Sequence, residues 1–207
     1  MYICVCIKQT PDSASVYVDP ITGNVDYERF VQVLNPADAC AVEAAVRLKE
    51  AMYCRGDPGG RPKIGDTLGR PENGDPRGRP ENGDPLGRSN CTIKVLTLGS
   101  KDAEGALRAA LALGADSALR LWNVDAGEWG PFTVAAALAG YLKSETFLPD
   151  LVLCGDRSSD WSSGIVGPAL AEQLDLPQVT SVMQLKLLEE HETVTLQLTR
   201  KLERGYR

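Results

Sequence analysis

The chain has 207 residues, 43% of them hydrophobic, and a formal net charge of −6 at pH 7. That is enough apolar material for one well-buried core, and the acidic balance argues against nucleic acid or an anionic membrane as the main partner, because both need a basic face. No stretch approaches the ~18 consecutive apolar residues of a membrane-spanning helix, and the start, MYICVCIKQTPD, lacks the basic region and long apolar core of a signal peptide. One domain located in the cytoplasm, with no membrane insertion, is therefore expected. The six cysteines (Cys4, Cys6, Cys40, Cys54, Cys91 and Cys154) form no CxxC pair, and His191 is the single histidine. A reduced chain without a metal site is expected on those counts.

Taken in chain order, YICVCI is an apolar run of strand length and reads as a buried parallel strand. VYVDPITGNVD then reads as a small hairpin turning at Pro20 to Gly23. In LNPADACAVEAAVRLKEAMY, Asn35 can cap a helix, Pro36 suits its first position, and Asp38 faces the free amides of the first turn. Val42, Ala45, Val46 and Met52 fall on one face of that helix. IKVLTLG is a second buried strand, followed by the helix SKDAEGALRAALALG with Ser100 as cap and Gly114 past its end. The strand ALRLW, the helix PFTVAAALAGYLKSE, the strand LVLCG and the helix GPALAEQL complete the series. Strands alternating with helices predict an α/β fold, a parallel sheet with helices on both faces. The tail differs: MQLKLL and TVTLQLT, joined by EEHET, alternate apolar and polar residues like an antiparallel pair with one wet face.

Residues 55–90 break the order with a nine-residue repeat, GRPKIGDTL, GRPENGDPR, GRPENGDPL. Stacked repeats need apolar residues at fixed positions, and this segment offers only Ile64, Leu68 and Leu86. Its seven basic and six acidic residues nearly cancel. It reads as a disordered surface insertion, which loops tolerate at small entropic cost.

The stretch GDRSSDWSSGIVGP, residues 155–168, lies where open α/β sheets bind ligands, between the carboxyl end of a strand and the start of a helix. Helix amides, the close approach allowed by Gly155, Gly164 and Gly167, and the hydroxyls of Ser158, Ser162 and Ser163 suit a phosphate. Spacing alone fits an ordinary capped turn equally well, with Ser162 or Ser163 as cap and Asp160 closing an Asx-turn.

VCIKQTPD, LNPADACAVEAAVRLKE, ALRAALALGAD, DLVLCG and VGPALAEQLDLPQVT resemble, in the same order, motifs of the beta subunits of electron transfer flavoproteins, the group that includes the FixA proteins. Outside the insertion, the resemblance runs through the whole chain. It implies a Rossmann-like parallel sheet (the adenine nucleotide alpha hydrolase-like type) with a C-terminal antiparallel extension. Residues 1–207 would form one nucleotide-binding domain of this kind, interrupted at 55–90. It also implies a cofactor, AMP or FAD in this subunit, with a further FAD shared with an alpha subunit. The partners implied are that alpha subunit and flavin dehydrogenases, and the chain would be an electron carrier rather than an enzyme acting alone.

Carried over by position, the resemblance places backbone at Cys6 beside the adenine, Asn35, Pro36, Ala37 and Asp38 along the nucleoside, and Leu98 at the next strand end. Gly155, Asp156, Arg157, Ser158, Ser159, Asp160, Trp161, Ser162, Ser163, Gly164, Ile165 and Val166 would wrap ribose and phosphate. Asp160 would accept hydrogen bonds and residues 163–166 would present amides. Relatives often carry a polar side chain where Ile165 stands, and a bulkier polar or acidic run in place of Trp161 and Ser162. Trp122, Trp129 and Trp161 could each stack on a flavin, but Trp122 is expected in the core and Trp161 alone is well placed, while His191 is expected in a solvated turn. An ATP pyrophosphatase-like enzyme of the same fold is the alternative, but it needs a glycine-serine loop after the first strand, where KQTPDSAS supplies no glycine. The other alternative is a shortened, inactive remnant, since the family continues beyond the equivalent of Arg207. TVTLQLT would then be left as an unpaired edge.

Overall fold

A computed structural model describes residues 1–15, 17–24, 30–53, 91–123, 125–190, 193–202 and 205–206. The repeat at 55–90 and His191 lie outside the described residues.

The first strand, β1 (Tyr2–Cys6), is the centre of the sheet. It pairs in parallel with β4 (Thr92–Gly99) on one side, Tyr2 opposite Thr92, and with β6 (Leu151–Cys154) on the other, Cys6 opposite Cys154. β5 (Ser117–Trp122) adds beyond β4, so the order is β5-β4-β1-β6, all parallel. The chain thus builds outward from β1 in one direction and then returns to build on its other edge. The point of reversal lies between β1 and β6.

Alternation along β1 divides the core into two layers. Ile3 and Val5, fully buried, face α1 (Pro36–Tyr53) and α2 (Glu104–Ala112), where Val42, Ala45, Leu48, Met52, Ala106 and Ala110 close the layer. Cys4 and Cys6 face α3 (Pro131–Ser144) and α4 (Val166–Leu174), which contribute Ala135, Leu138, Leu142, Leu170 and Leu174. Helices therefore cover both faces, as the strand–helix alternation predicts. The expected inward face of α1 is also found, with Val42, Ala45 and Met52 buried and Val46 packed at its margin. Val46 abuts Gly114, where an added Cβ would come within 3.1 Å of it and φ is +118°.

The expected tail pair is β7 (Val182–Glu190) with β8 (Thr193–Leu202), antiparallel, with Leu185, Leu187 and Leu196 packed against the α1 layer. The far edge of β8 is paired over its last residues by β9 (Gly205–Tyr206), with Lys201 opposite Tyr206. Of the hairpin expected at 16–26, residues 16, 25 and 26 lie outside the described residues, and 17–24 hold a tight turn that Asp19 organises: its carboxylate accepts from Ile21 N–H and Thr22 Oγ1, and its N–H donates to Asn24 O at 2.8 Å. The flanking antiparallel pair lies farther out, as β2 (Gln9–Pro11) with β3 (Gln32–Leu34). Ser100 precedes a short 3-10 turn at Lys101–Ala103 and makes no side-chain cap.

Candidate functional site: a cavity at the β1–β6 switch point

A cavity of ≈ 510 Å³ opens at the carboxyl edge of the sheet. Its floor is Cys6 and Cys154, the last residues of β1 and β6, and its walls are the ends of β4, α3, the 155–165 loop and the start of α4. Open α/β sheets bind ligands in this crevice, and the size falls in the ordinary range for small-molecule sites of about 300–1,000 Å³.

Asp38 holds the crevice together. From the first turn of α1, its two carboxylate oxygens accept the backbone N–H of Lys8, just past β1, at 2.7 Å and that of Gly155, just past β6, at 3.0 Å. Only 6% of Asp38 is exposed. Burial pushes its pKa up to about 6, and the bonds from Lys8, Asn35 and Gly155 offset that only in part. The approach at Gly155 is close enough to require glycine: an added Cβ would stand 2.2 Å from Asp38 Oδ1 and 2.9 Å from Asp38 N.

Asn35 does the same for the loop. Its main-chain carbonyl accepts the N–H groups of Asp38 and Ala39 at the start of α1. Its side chain, buried to 2% exposure, crosses to the loop instead of capping the helix, with Nδ2 donating to Arg157 O at 3.1 Å and Oδ1 accepting Ser159 N–H at 3.2 Å. Ser159 Oγ donates to Thr10 Oγ1 at 2.8 Å, and Lys8 Nζ pairs with Asp160 Oδ2 at 2.5 Å. The second Asp160 oxygen accepts Trp161 N–H at 2.8 Å, so the expected Asx-turn is replaced by a local bond and an ion pair.

The loop then turns sharply. Ser162 N–H donates to Ser158 O at 2.9 Å, with Ser162 at φ 51° and Gly164 at φ 63°, both left-handed. Ser162 Oγ also bonds Ser158 O, and Ile165 occupies the position before α4 with no side-chain cap, so neither Ser162 nor Ser163 caps this helix. The N–H groups of Val166 and Gly167 consequently have no acceptor within the helix.

Of the residues singled out from sequence, Cys6, Asn35, Asp38, Leu98, Gly155, Asp156, Arg157, Ser158, Trp161, Ser163, Gly164, Ile165 and Val166 line the cavity. Pro36, Ala37, Ser159, Asp160 and Ser162 stand behind that wall, where Ser159 and Asp160 act as loop anchors. Lys8 lines it unforeseen, and Trp129, ranked behind Trp161 from sequence, lines it as well. Trp122, expected in the core, is 66% exposed at the end of β5, a correction that follows from its place at a strand's outer tip. Trp161 is 62% exposed at the rim.

Fold and cavity together define a Rossmann-like α/β domain with a ligand-sized site at its topological switch point. The family model of the electron transfer flavoprotein domain matches residues 82–207. The chain is 34% identical over 206 residues to the electron transfer flavoprotein subunit beta of Thermoanaerobacterium thermosaccharolyticum, covering all of this chain and 63% of that relative. It is 31% identical, with the same coverage, to the caffeyl-CoA reductase-Etf complex subunit CarD of Acetobacterium woodii. Protein FixA of Azorhizobium caulinodans is 32% identical over 188 residues, 89% of this chain and 54% of the relative. The chain belongs to the electron transfer flavoprotein family, in its group of beta subunits and FixA proteins. It spans 63% or less of the length of these relatives. No helix among the described residues is long and apolar enough to cross a membrane.

Proposed function

We propose that the switch-point cavity holds an adenine nucleotide, AMP or FAD, and that the chain is the beta subunit of a heterodimeric electron transfer flavoprotein. In that role it shares an FAD with an alpha subunit and helps electrons pass between flavin dehydrogenases and an acceptor, without catalysing a reaction of its own. The observation that carries the nucleotide is the uncapped start of α4 at the cavity wall. Two free amides and the positive end of the helix dipole meet a phosphate there. The nearby cations are already engaged, Arg157 with Asp156 and Lys8 with Asp160, so the amides are the available anion donors. Gly164, left-handed at φ 63°, lines the cavity, while Leu98, Val134 and Leu138 supply an apolar wall for a base.

A bound flavin would supply the redox chemistry itself. What this chain's residues do is bind, orient and shield: Asp38 and Asn35 hold the loop in shape, and Trp129 and Trp161 offer aromatic faces at the wall and rim. A pyrophosphatase-type enzyme finds no support in the geometry, because β1 runs through Ile7 and Lys8 straight into β2 with no glycine loop between.

Mass spectrometry of nucleotide extracted from the purified chain, with calorimetric titration by AMP and FAD, tests the reading. Wild type and Gly164→Ala should both bind, and Gly164→Glu, which places an acid against the phosphate, should not. The alanine variant controls for the left-handed backbone. Absence of any adenine nucleotide in wild type, or full binding by Gly164→Glu, would overturn the assignment.

A further inference from the structure

The cavity floor carries a feature that nucleotide binding does not use. Cys6 and Cys154 are register partners on adjacent parallel strands, and both line the cavity. Cys154 is half-buried and Cys6 is 7% exposed. Cys154 Sγ also sits under the first turn of α4, 3.8 Å from where a Cβ on Gly167 would stand. Of the other described cysteines, Cys40 is exposed on α1 and Cys91 is buried before β4, while Cys4 lies deeper on the same face of β1 as Cys6.

We propose that Cys6 and Cys154 are a redox-sensitive dithiol, converted to a disulfide by a small disulfide oxidant that enters the cavity. Register partners on neighbouring strands have Cα atoms about 4.8 Å apart, inside the roughly 4.4–6.8 Å window of disulfides. The more accessible Cys154 attacks first, as thiolate, breaking the oxidant's S–S bond and releasing one thiol. Cys6, its proton passing to the second departing thiolate, then attacks Cys154 Sγ and displaces that thiol. The protein loses two electrons and two protons, and the oxidant becomes two thiols. Hydrogen bonding to Cys154 and Cys4, with burial, holds the Cys6 thiol well above its usual pKa, which suits a resolving thiol rather than an attacking one.

The bond would draw β1 and β6 together beneath the Asp38 staple and reshape the floor on which a ligand rests. Disulfides need Cβ atoms about 3.8 Å apart, closer than relaxed neighbouring strands hold them, so the linkage is strained and readily reduced. Its effect on ligand binding rests on the nucleotide reading. Its formation does not.

The test incubates the full chain with oxidised glutathione, blocks free thiols, and maps disulfide-linked peptides by mass spectrometry. Wild type should yield the Cys6–Cys154 link, reversible by dithiothreitol. Cys6→Ala should stop at a stable glutathione adduct on Cys154, and Cys154→Ala should leave Cys6 unmodified. A wild-type chain whose circular dichroism shows it folded but which gives no such link, or gives it only in urea, overturns the proposal. Prior addition of AMP should slow the reaction at least tenfold. A link that forms at an undiminished rate under AMP counts against the nucleotide and leaves the dithiol standing.

Discussion

Gly155 and Asp38 meet at a distance that only glycine at position 155 allows: the N–H of Gly155 donates to Asp38 Oδ1 at 3.0 Å, and a Cβ on Gly155 would stand 2.2 Å from that oxygen. Gly155→Ala must therefore push the amino end of α1 off the end of β6. The expected cost is about 3 kcal/mol, the upper part of the range for overpacking, read as a fall in Tm of roughly 6–12 °C for a chain of this size. A variant within 2 °C of wild type would show that the two ends are not held as described.

Asp38 also makes stability depend on pH. Its pKa rises from the ordinary carboxylate value to about 6 because it is buried, so between pH 4 and 6 the folded chain binds a proton that the unfolded chain has lost. Asp38's contribution is thus fully present at low pH and is lost as pH rises through 6, by on the order of 3 kcal/mol. Urea unfolding of wild type and the non-titrating Asp38→Asn across pH 4–7 isolates it. The wild-type stability should fall relative to the variant as pH rises, and a difference that stays flat refutes the assignment.

Asn35 spends both ends of its amide on the loop, so Asn35→Ala leaves Ser159 N–H and Arg157 C=O without it. A loss of about 2 kcal/mol is expected, with faster tryptic cleavage after Arg157 and faster exchange of the Ser159 amide. Asn35→Asp should be worse, since it removes the donor to Arg157 O and buries a second carboxylate near Asp38.

At the far end of α4, Asp175 closes the helix in the left-handed conformation at φ 55°. Asp175→Gly relieves a strain of roughly 1 kcal/mol and should raise Tm by about 2–4 °C. Because Asp175 is exposed and outside the cavity wall, nucleotide titrations should be unchanged.

Much of this architecture was legible in the residues themselves. Continuous apolar runs marked β1, β4 and β6, and Pro36 and Pro131 stand at the first positions of α1 and α3, because these signals are local. The place of the cavity followed from the glycine-serine loop between the carboxyl end of a strand and the start of a helix. What stayed hidden were ties across the chain: Asp38 to Gly155 spans 117 positions and Asn35 to Arg157 spans 122, and no periodicity reports such pairings. A locally plausible role, the helix cap, masked the Asn35 side chain's real use. Lys8 escaped notice and Trp129 was ranked behind Trp161 for the same reason, since each reaches the cavity only once distant elements are assembled around it.

β1 lies inside the sheet, and its neighbours on either side, beginning at Thr92 and Leu151, come much later in the chain. An emerging polypeptide cannot complete this sheet piecemeal from one edge. Its central strand must wait for both flanks, and the two halves of the crevice, one beyond β1 and one beyond β6, are far apart along the chain, with Lys8 and Asp160 separated by 152 positions. Folding should therefore be slow for the chain's length and concentrated in one late closure around β6. Asp38 and Gly155 would come together only at that step.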